Sequence, residues 1–160
     1  MTTMATPTSD TSVRRSVTVK TNAEHAFRVF TEGFDSWWPR THKIGGTDLK
    51  RAVLERKQGG RWYEVDADGS ECNWGRVLAW EPPARLVLAW QIDASWHYDP
   101  GLLTEVEVRF TAEGPEQTRV DLEHRDLDQF GDAREQIRAA FDSDGGWPGL
   151  LAAYVQAAAA

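Results

Sequence analysis

Glu64, Arg76, Thr104 and His124 are the residues of this chain best placed by type and spacing to do chemistry, because strand alternation puts each of them among tryptophans. A carboxyl at 64 that is desolvated and unpaired would rise in pKa into the range of an acid–base group. A histidine at 124 could give or take a proton at the floor of a cavity. An arginine at 76 could stack on Trp90 or hold the anionic end of a ligand. Each has a plainer reading beside it: an internal ion pair between Glu64 and Arg76, and a hydrogen-bonded core histidine. Cys72, the one cysteine, has no activating neighbour in sequence and reads as an inert buried thiol. His25, His42, His97 and His124 lack metal-ligand spacing, and the loop group Asp93, His97 and Asp99 is not expected to hold an ion. There is no phosphate-binding glycine loop and no nucleophile elbow, so neither a metal nor a cofactor is expected.

Eight tryptophans surround these groups, at positions 37, 38, 62, 74, 80, 90, 96 and 147. An indole is large, rigid and amphipathic, and its N–H needs a partner when buried. So many rings in a small chain point to a bulky core or to the lining of a cavity for a flat apolar ligand. The cavity reading takes Trp38, Trp62, Glu64, Trp74, Arg76, Trp90, Thr104, His124, Trp147 and Leu151 as the ligand-binding set. Trp37, Trp38, Pro39 and His42 form a lid over its mouth, or else anchor that loop to the surface.

The elements that position these residues follow from periodicity and breaks. Val13–Lys20 reads as a strand. Thr21 and Glu24 have the spacing of a capping box, and Ala23, Ala26, Phe27 and Phe30 make a helical stripe after it. A second short helix covers Phe34–Trp38 and ends at Pro39. Six strands are expected near 51–57, 61–66, 70–80, 86–93, 102–111 and 118–125, separated by glycine- and proline-rich turns. Residues 131–141 read as helix. A C-terminal helix then carries Trp147, Leu150, Leu151, Tyr154 and Val155 on one face, with Pro148 in its first turn.

Turn lengths set the pairing. A three-residue loop 67–69 brings Trp62 opposite Trp74 and Glu64 opposite Cys72. A five-residue loop 81–85 brings Trp80 opposite Leu86, Leu78 opposite Leu88, and Arg76 opposite Trp90. The last hairpin brings Phe110 opposite Thr118, Val108 opposite Val120, Val106 opposite Leu122, and Thr104 opposite His124. Even-numbered residues share the concave face. Odd ones, including Glu105, Glu107 and Glu123, make a charged outer surface. A slip of one residue would turn all of them over.

Composition bounds the partners. The length suits one domain, taken as residues 13–160 after a disordered tail, 1–12. A net charge of −7 argues against nucleic acid and against anionic membrane surfaces. No apolar run reaches the roughly 18 residues of a membrane span. The N-terminus lacks a basic start and an apolar core, so no secretory signal is read there and a cytoplasmic location is expected. A homodimer stays open.

In order along the chain, TNAEHAFRVFT, FDSWWPRTHKIG, GGRWYE, DGSECNWGRVLAWEPPARLVLAW, TEVEVRFT, TRVDLEHRDL and GGWPGLLAAY resemble the SRPBCC or START-like superfamily, also called the Bet v 1-like helix-grip fold. Within it the chain is similar to the bacterial branch related to the activator of Hsp90 ATPase C-terminal domain (AHSA1-like). The resemblance implies an α+β fold in which a curved antiparallel sheet of six to seven strands wraps a long C-terminal helix, with two short helices after the first strand. It implies a hydrophobic pocket between sheet and helix, and it assigns no catalytic residue. Members of the superfamily bind lipids, sterols or polyketides, and some are cyclases or hydratases. The eukaryotic co-chaperone uses a separate N-terminal domain for which this chain has no room, so stimulation of an Hsp90-type chaperone is not expected. The leading expectation is a non-enzymatic binding protein for a small hydrophobic molecule, aromatic or polycyclic. The alternatives are a cyclase- or hydratase-type enzyme using Glu64 or His124, and a co-chaperone-like or protein-interaction module with an acidic outer face.

Overall fold

The computed structural model describes residues 12–159, so the expected tail lies outside the described residues except for Ser12. The elements run β1 (Val13–Val19), α1 (Ala23–Thr31), α2 (Phe34–Trp37), β2 (Leu49–Leu54), β3 (Arg61–Asp66), β4 (Glu71–Glu81), β5 (Arg85–Trp90), β6 (Thr104–Gly114), β7 (Gln117–Arg125), a 3-10 segment (Leu127–Ala133), α3 (Arg134–Phe141) and α4 (Trp147–Ala159). The strands form one antiparallel seven-stranded sheet in the order β1-β7-β6-β5-β4-β3-β2. α4 lies on the concave side against β1, α1 and α2, and the Tyr154 hydroxyl donates to the Ala26 carbonyl at 2.7 Å. This is the helix-grip arrangement. No helix among the described residues is long and apolar enough to cross a membrane.

Two local expectations shift by a few residues. The cap of α1 is Asn22, whose side chain accepts from the His25 amide at 2.8 Å. Thr21 is drawn elsewhere, its carbonyl accepting from the Thr118 hydroxyl. The helix expected over 131–141 begins as a 3-10 turn and becomes α-helical at Arg134, because Gly131 takes a left-handed backbone.

Register decides which face each side chain takes. In the last hairpin, Val106 faces His124, Val108 faces Leu122 and Phe110 faces Val120, two residues away from the expected pairing. A shift of two keeps every side chain on its expected face, so Val106, Val108, Phe110, Val120, Leu122 and His124 are all buried. β4 behaves differently. Trp62 pairs with Gly75 rather than Trp74, and Glu64 with Cys72 as expected, so Trp74 is an extra residue in the strand. Val77, not Leu78, pairs with Leu88, so Leu78 is a second extra residue. The two bulges bracket residues 75–77 and invert only those. Arg76 therefore pairs with Ala89, points outward and donates to Gln91 Oε1 at 3.1 Å. Its expected place beside Trp90 on the concave face is corrected, and so is its ion pair with Glu64.

The outer face is charged but not simply acidic. Glu107 accepts from Arg85, Arg109 and Arg125 at 2.6–2.7 Å. Glu105 pairs with Arg125, and Glu123 with Arg14 and Arg125. The carboxylates proposed for a partner are thus tied up by neighbouring guanidinium groups.

At Gly75 the backbone of β5 leaves no room for a side chain: a Cβ there would lie 1.7 Å from the Ala89 carbonyl oxygen. Backbone cannot yield as a side chain does, so Gly75→Ala is expected to cost about 2–4 kcal/mol in urea unfolding. Gly114→Ala, whose Cβ would meet nothing within 4 Å, is expected to cost less than about 0.5 kcal/mol. Equal midpoints for the two variants would contradict this account of the bulge.

Candidate functional site

Three neighbouring strands bring three indoles together. Trp62 on β3, Trp74 at the bulge of β4 and Trp90 at the end of β5 are 0%, 1% and 6% exposed. Their rings meet edge to face, Trp62 against Trp74 at 5.6 Å and against Trp90 at 5.7 Å. Phe34 and Trp38 close over Trp74 from α2, and Phe141 and Trp147 close over Trp90 from α3 and α4. Trp37 packs behind Phe34 and Trp38, reaching Phe30 and Tyr154 in the core, and donates to the Val29 carbonyl.

His124 orders one side of this cluster. Trp147 Nε1 donates to His124 Nδ1 at 3.0 Å, so Nδ1 carries a lone pair. Nε2 then holds the proton and donates to Thr104 Oγ1 at 2.9 Å, and Thr104 passes its own hydroxyl hydrogen to the Trp90 carbonyl at 2.9 Å. The relay fixes the neutral tautomer. Burial pushes the imidazole down to about 3. Both nitrogens are occupied by protein partners and the ring is fully buried, so His124 holds the Trp147 indole in place.

Glu64 orders the other side. It is fully buried and accepts from the Ile44 amide at 2.7 Å, the Gly45 amide at 3.1 Å and Trp74 Nε1 at 2.9 Å. Burial alone would raise this carboxyl. The hydrogen bond with Asp66 and the donors from Ile44, Trp74 and Gly45 outweigh burial and hold it below the ordinary carboxylate value. Asp66, buried beside it, is pushed up to about 6 by burial first, then by the hydrogen bond and charge of Glu64. The Cys72 thiol is raised as well, by burial and then by the two carboxyls, which suits an inert thiol. Glu64, Asp66 and Cys72 offer ligand atoms within 4.8 Å of one another. Three N–H hydrogens and the hydrogen bond with Asp66 occupy the Glu64 oxygens, which makes this set an acid pair more than a cation cage.

Between these two ordered walls lies a pocket of about 300 Å³. Trp38, Trp74, Trp90, Trp96 and Trp147 line it, with Phe141, Ile92, Leu150 and Ile44 filling in. Thr41, His42 and Lys43 supply its polar side. His42 bridges two walls, with Nε2 on the Gly145 carbonyl at 2.7 Å and Nδ1 on Thr41 Oγ1, while its own carbonyl accepts from Trp38 Nε1 at 2.8 Å. Of the expected set, Trp38, Trp74, Trp90, Trp147 and His42 line the pocket. Trp62, Glu64, Thr104 and His124 stand behind the lining, Leu151 packs in the core one residue past Leu150, and Arg76 is outside. Trp37 and Pro39 do not touch the pocket.

Sequence reasoning missed Trp96, Phe141, Lys43 and Asp66. Trp96 sits half-exposed at the rim with a left-handed backbone (φ 63°), in a tight loop where Asp93 Oδ1 accepts from the Ser95 and His97 amides. Nothing in the pattern signals that geometry. Asp66 had a signal, because a strand puts residues 64 and 66 on one face.

Comparison with known proteins places this geometry. Residues 20–157 match the family model described as activator of Hsp90 ATPase homolog 1-like protein. The chain is similar to the anthrahydroquino-γ-pyrone synthase Txn09, at 39% identity over 91% of this chain and 96% of that one, with a TM-score of 0.65. It is similar to CalC, a self-sacrificing resistance protein from Micromonospora echinospora, at 35% identity over 92% and 93%, with a TM-score of 0.69. A protein from Mesorhizobium loti shares the fold at 20% identity over 91% and 95%, with a TM-score of 0.64. No curated protein sequence matches the chain.

The buried relay has a consequence for acid stability. The folded-state pKa of His124 is depressed to about 3 from an ordinary 6.5, so the unfolded chain takes up the proton first. Its contribution is complete above 6.5 and is lost as pH falls toward 3, at about 1.4 kcal/mol per pH unit once the unfolded imidazole is charged. Urea midpoints measured at pH 7.5 and pH 5 are expected to fall more steeply in the wild type than in His124→Gln, whose amide can make the same two bonds without titrating. Identical slopes would contradict the relay.

Proposed function

This chain belongs to the activator of Hsp90 ATPase homolog 1-like family, and from that premise we propose that it binds a compact, flat polycyclic aromatic molecule in the indole-lined pocket. One observation carries the reading: five indoles and the Phe141 ring surround a hollow of about 300 Å³, where a dry core would have closed. That volume is at the small end of ligand pockets and suits a molecule of a few fused rings. Rigid rings on several sides offer apolar area with little entropy to lose on binding. The polar side, formed by Thr41, His42 and Lys43, would orient a ligand oxygen. The likeness to a synthase of an anthrahydroquino-γ-pyrone supports a polycyclic aromatic as the class of ligand. A cytoplasmic location belongs to the same proposal, on the single cysteine.

The same likeness favours a second reading, a cyclase-type enzyme. Glu64 and His124 stand behind the lining, and their hydrogen bonds are spent on Ile44, Gly45, Trp74, Thr104 and Trp147. Acid–base chemistry in this pocket would fall to His42 or Lys43, the titratable groups that reach it. Turnover of a substrate that survives replacement of both would remove this version.

Titration with hydroxymethylanthraquinone, a neutral flat probe, is expected to quench the tryptophan fluorescence saturably with a Kd of about micromolar order. Trp96→Ala should fold normally, because the ring is 49% exposed. It is expected to weaken binding about 2–10-fold through loss of one stacked ring. Absence of saturable quenching, or an unchanged Kd in Trp96→Ala, would count against the pocket as the binding site.

A further inference from the structure

The structure assigns a further role to Glu64 and Asp66: together they form a proton-sharing latch that holds the Lys43–Gly45 wall of the pocket against the sheet and loosens it when the proton leaves. The latch is a property of the protein alone and stands or falls apart from any ligand.

The geometry begins with strand alternation. Residues 64 and 66 share one face of β3, and both side chains are fully buried. Their oxygens converge on Gly45 in the loop opposite. A Cβ at Gly45 would lie 1.6 Å from Asp66 Oδ2 and 2.9 Å from Glu64 Oε2, so a side chain there would displace the two carboxyls. The donors are shared unequally. Glu64 takes the amides of Ile44 and Gly45 and the Trp74 indole. Asp66 Oδ1 has no partner among the described residues, and beside its hydrogen bond with Glu64 the Asp66 carboxyl meets only the Cys72 thiol, at 3.9 Å from Oδ2.

Two ionised carboxyls in this place would repel each other in a medium that screens them poorly, and the second would have nothing to accept from. A proton on Asp66, donated to Glu64, removes both problems. It sits on Asp66 because the Glu64 oxygens already receive N–H hydrogens. The other groups facing the pair are the Lys43 ammonium from the loop, Asp68 from the β3–β4 turn and the Cys72 thiol from β4. Lys43 lowers the Asp66 pKa, while Asp68 raises it. Burial, with the hydrogen bond and charge of Glu64, outweighs Lys43 and leaves Asp66 titrating at about 6, so the proton leaves in a range that cells visit.

Loss of that proton to water sets a second negative charge beside Glu64. The Lys43 ammonium, now on the Gly45 carbonyl at 2.5 Å, is drawn toward Asp66, and repulsion between the two carboxylates pushes Glu64 off its position against the Ile44 and Gly45 amides. Ile44 and Lys43 are pocket lining, so the proton controls one wall of the site. The sign follows from the raised pKa. The latch is closed below about pH 6 and loosens as pH rises through it.

Amide hydrogen exchange read by NMR between about pH 5 and 8, corrected for the intrinsic chemical rate, tests this directly. Protection of Ile44 and Gly45 is expected to fall about tenfold in the wild type as pH rises. In Asp66→Asn, which keeps the shape and cannot ionise, protection should stay high and flat. A wild-type profile without a step, or an equal step in Asp66→Asn, overturns the latch. The carboxyl carbon shift of Asp66 gives a second reading that needs no variant: a midpoint near 6 supports shared protonation, and an ordinary midpoint near 3.8 overturns it.

Discussion

The N–H of a buried indole organises this protein. A ring removed from water brings a donor, and four of the six buried indoles have theirs met inside, while Trp62 and Trp90 Nε1 have no partner among the described residues. Trp37 meets the Val29 carbonyl, Trp38 the His42 carbonyl, Trp74 the Glu64 carboxylate and Trp147 the His124 imidazole. These four bonds place the polar residues. Glu64 and His124 occupy the concave face as acceptors for rings, and their own remaining valences are closed by the 44–45 loop and by Thr104. Trp38, Trp74 and Trp147, held in this way, line the hollow together with Trp90 and Trp96.

That logic also explains where the hollow is. Away from it, Phe27 and Phe30 of α1, Phe110 of β6 and Tyr154 of α4 pack edge to face. The pocket opens at one end, where the Trp38–Ile44 loop, the α3–α4 junction and the ends of β4 and β5 meet. Gly146 at that junction lies so near the Phe141 carbonyl that a Cβ would come within 2.3 Å. The junction is therefore held by backbone contact, which makes it a firm edge for the pocket.

Much of this was legible in the residues. Alternation placed Trp62, Trp74, Trp90, Glu64 and His124 on one face, and a two-residue error in the β6–β7 pairing cost nothing because parity was kept. Arg76 was misread because bulges at Trp74 and Leu78 invert three residues and then restore the pattern, leaving Trp80 inward against Phe27. A turn-length argument carries no sign of a bulge inside a strand. Trp96 was missed for a related reason: its left-handed backbone is set by the Asp93 side chain, a loop device with no periodicity. The difference between lining a pocket and standing behind it was likewise beyond pattern, since Trp62 and Trp90 share a face and differ only in depth.

The central claim is that the rings around the hollow, and not the other rings, meet a flat aromatic guest. The indole N–H resonances of the eight tryptophans, followed by NMR during addition of hydroxymethylanthraquinone, test it ring by ring. The account predicts shifts at Trp38, Trp74, Trp90, Trp96 and Trp147, with Trp37 and Trp80 unmoved. Shifts confined to Trp37 and Trp80, or no ring preferred over another, would contradict it.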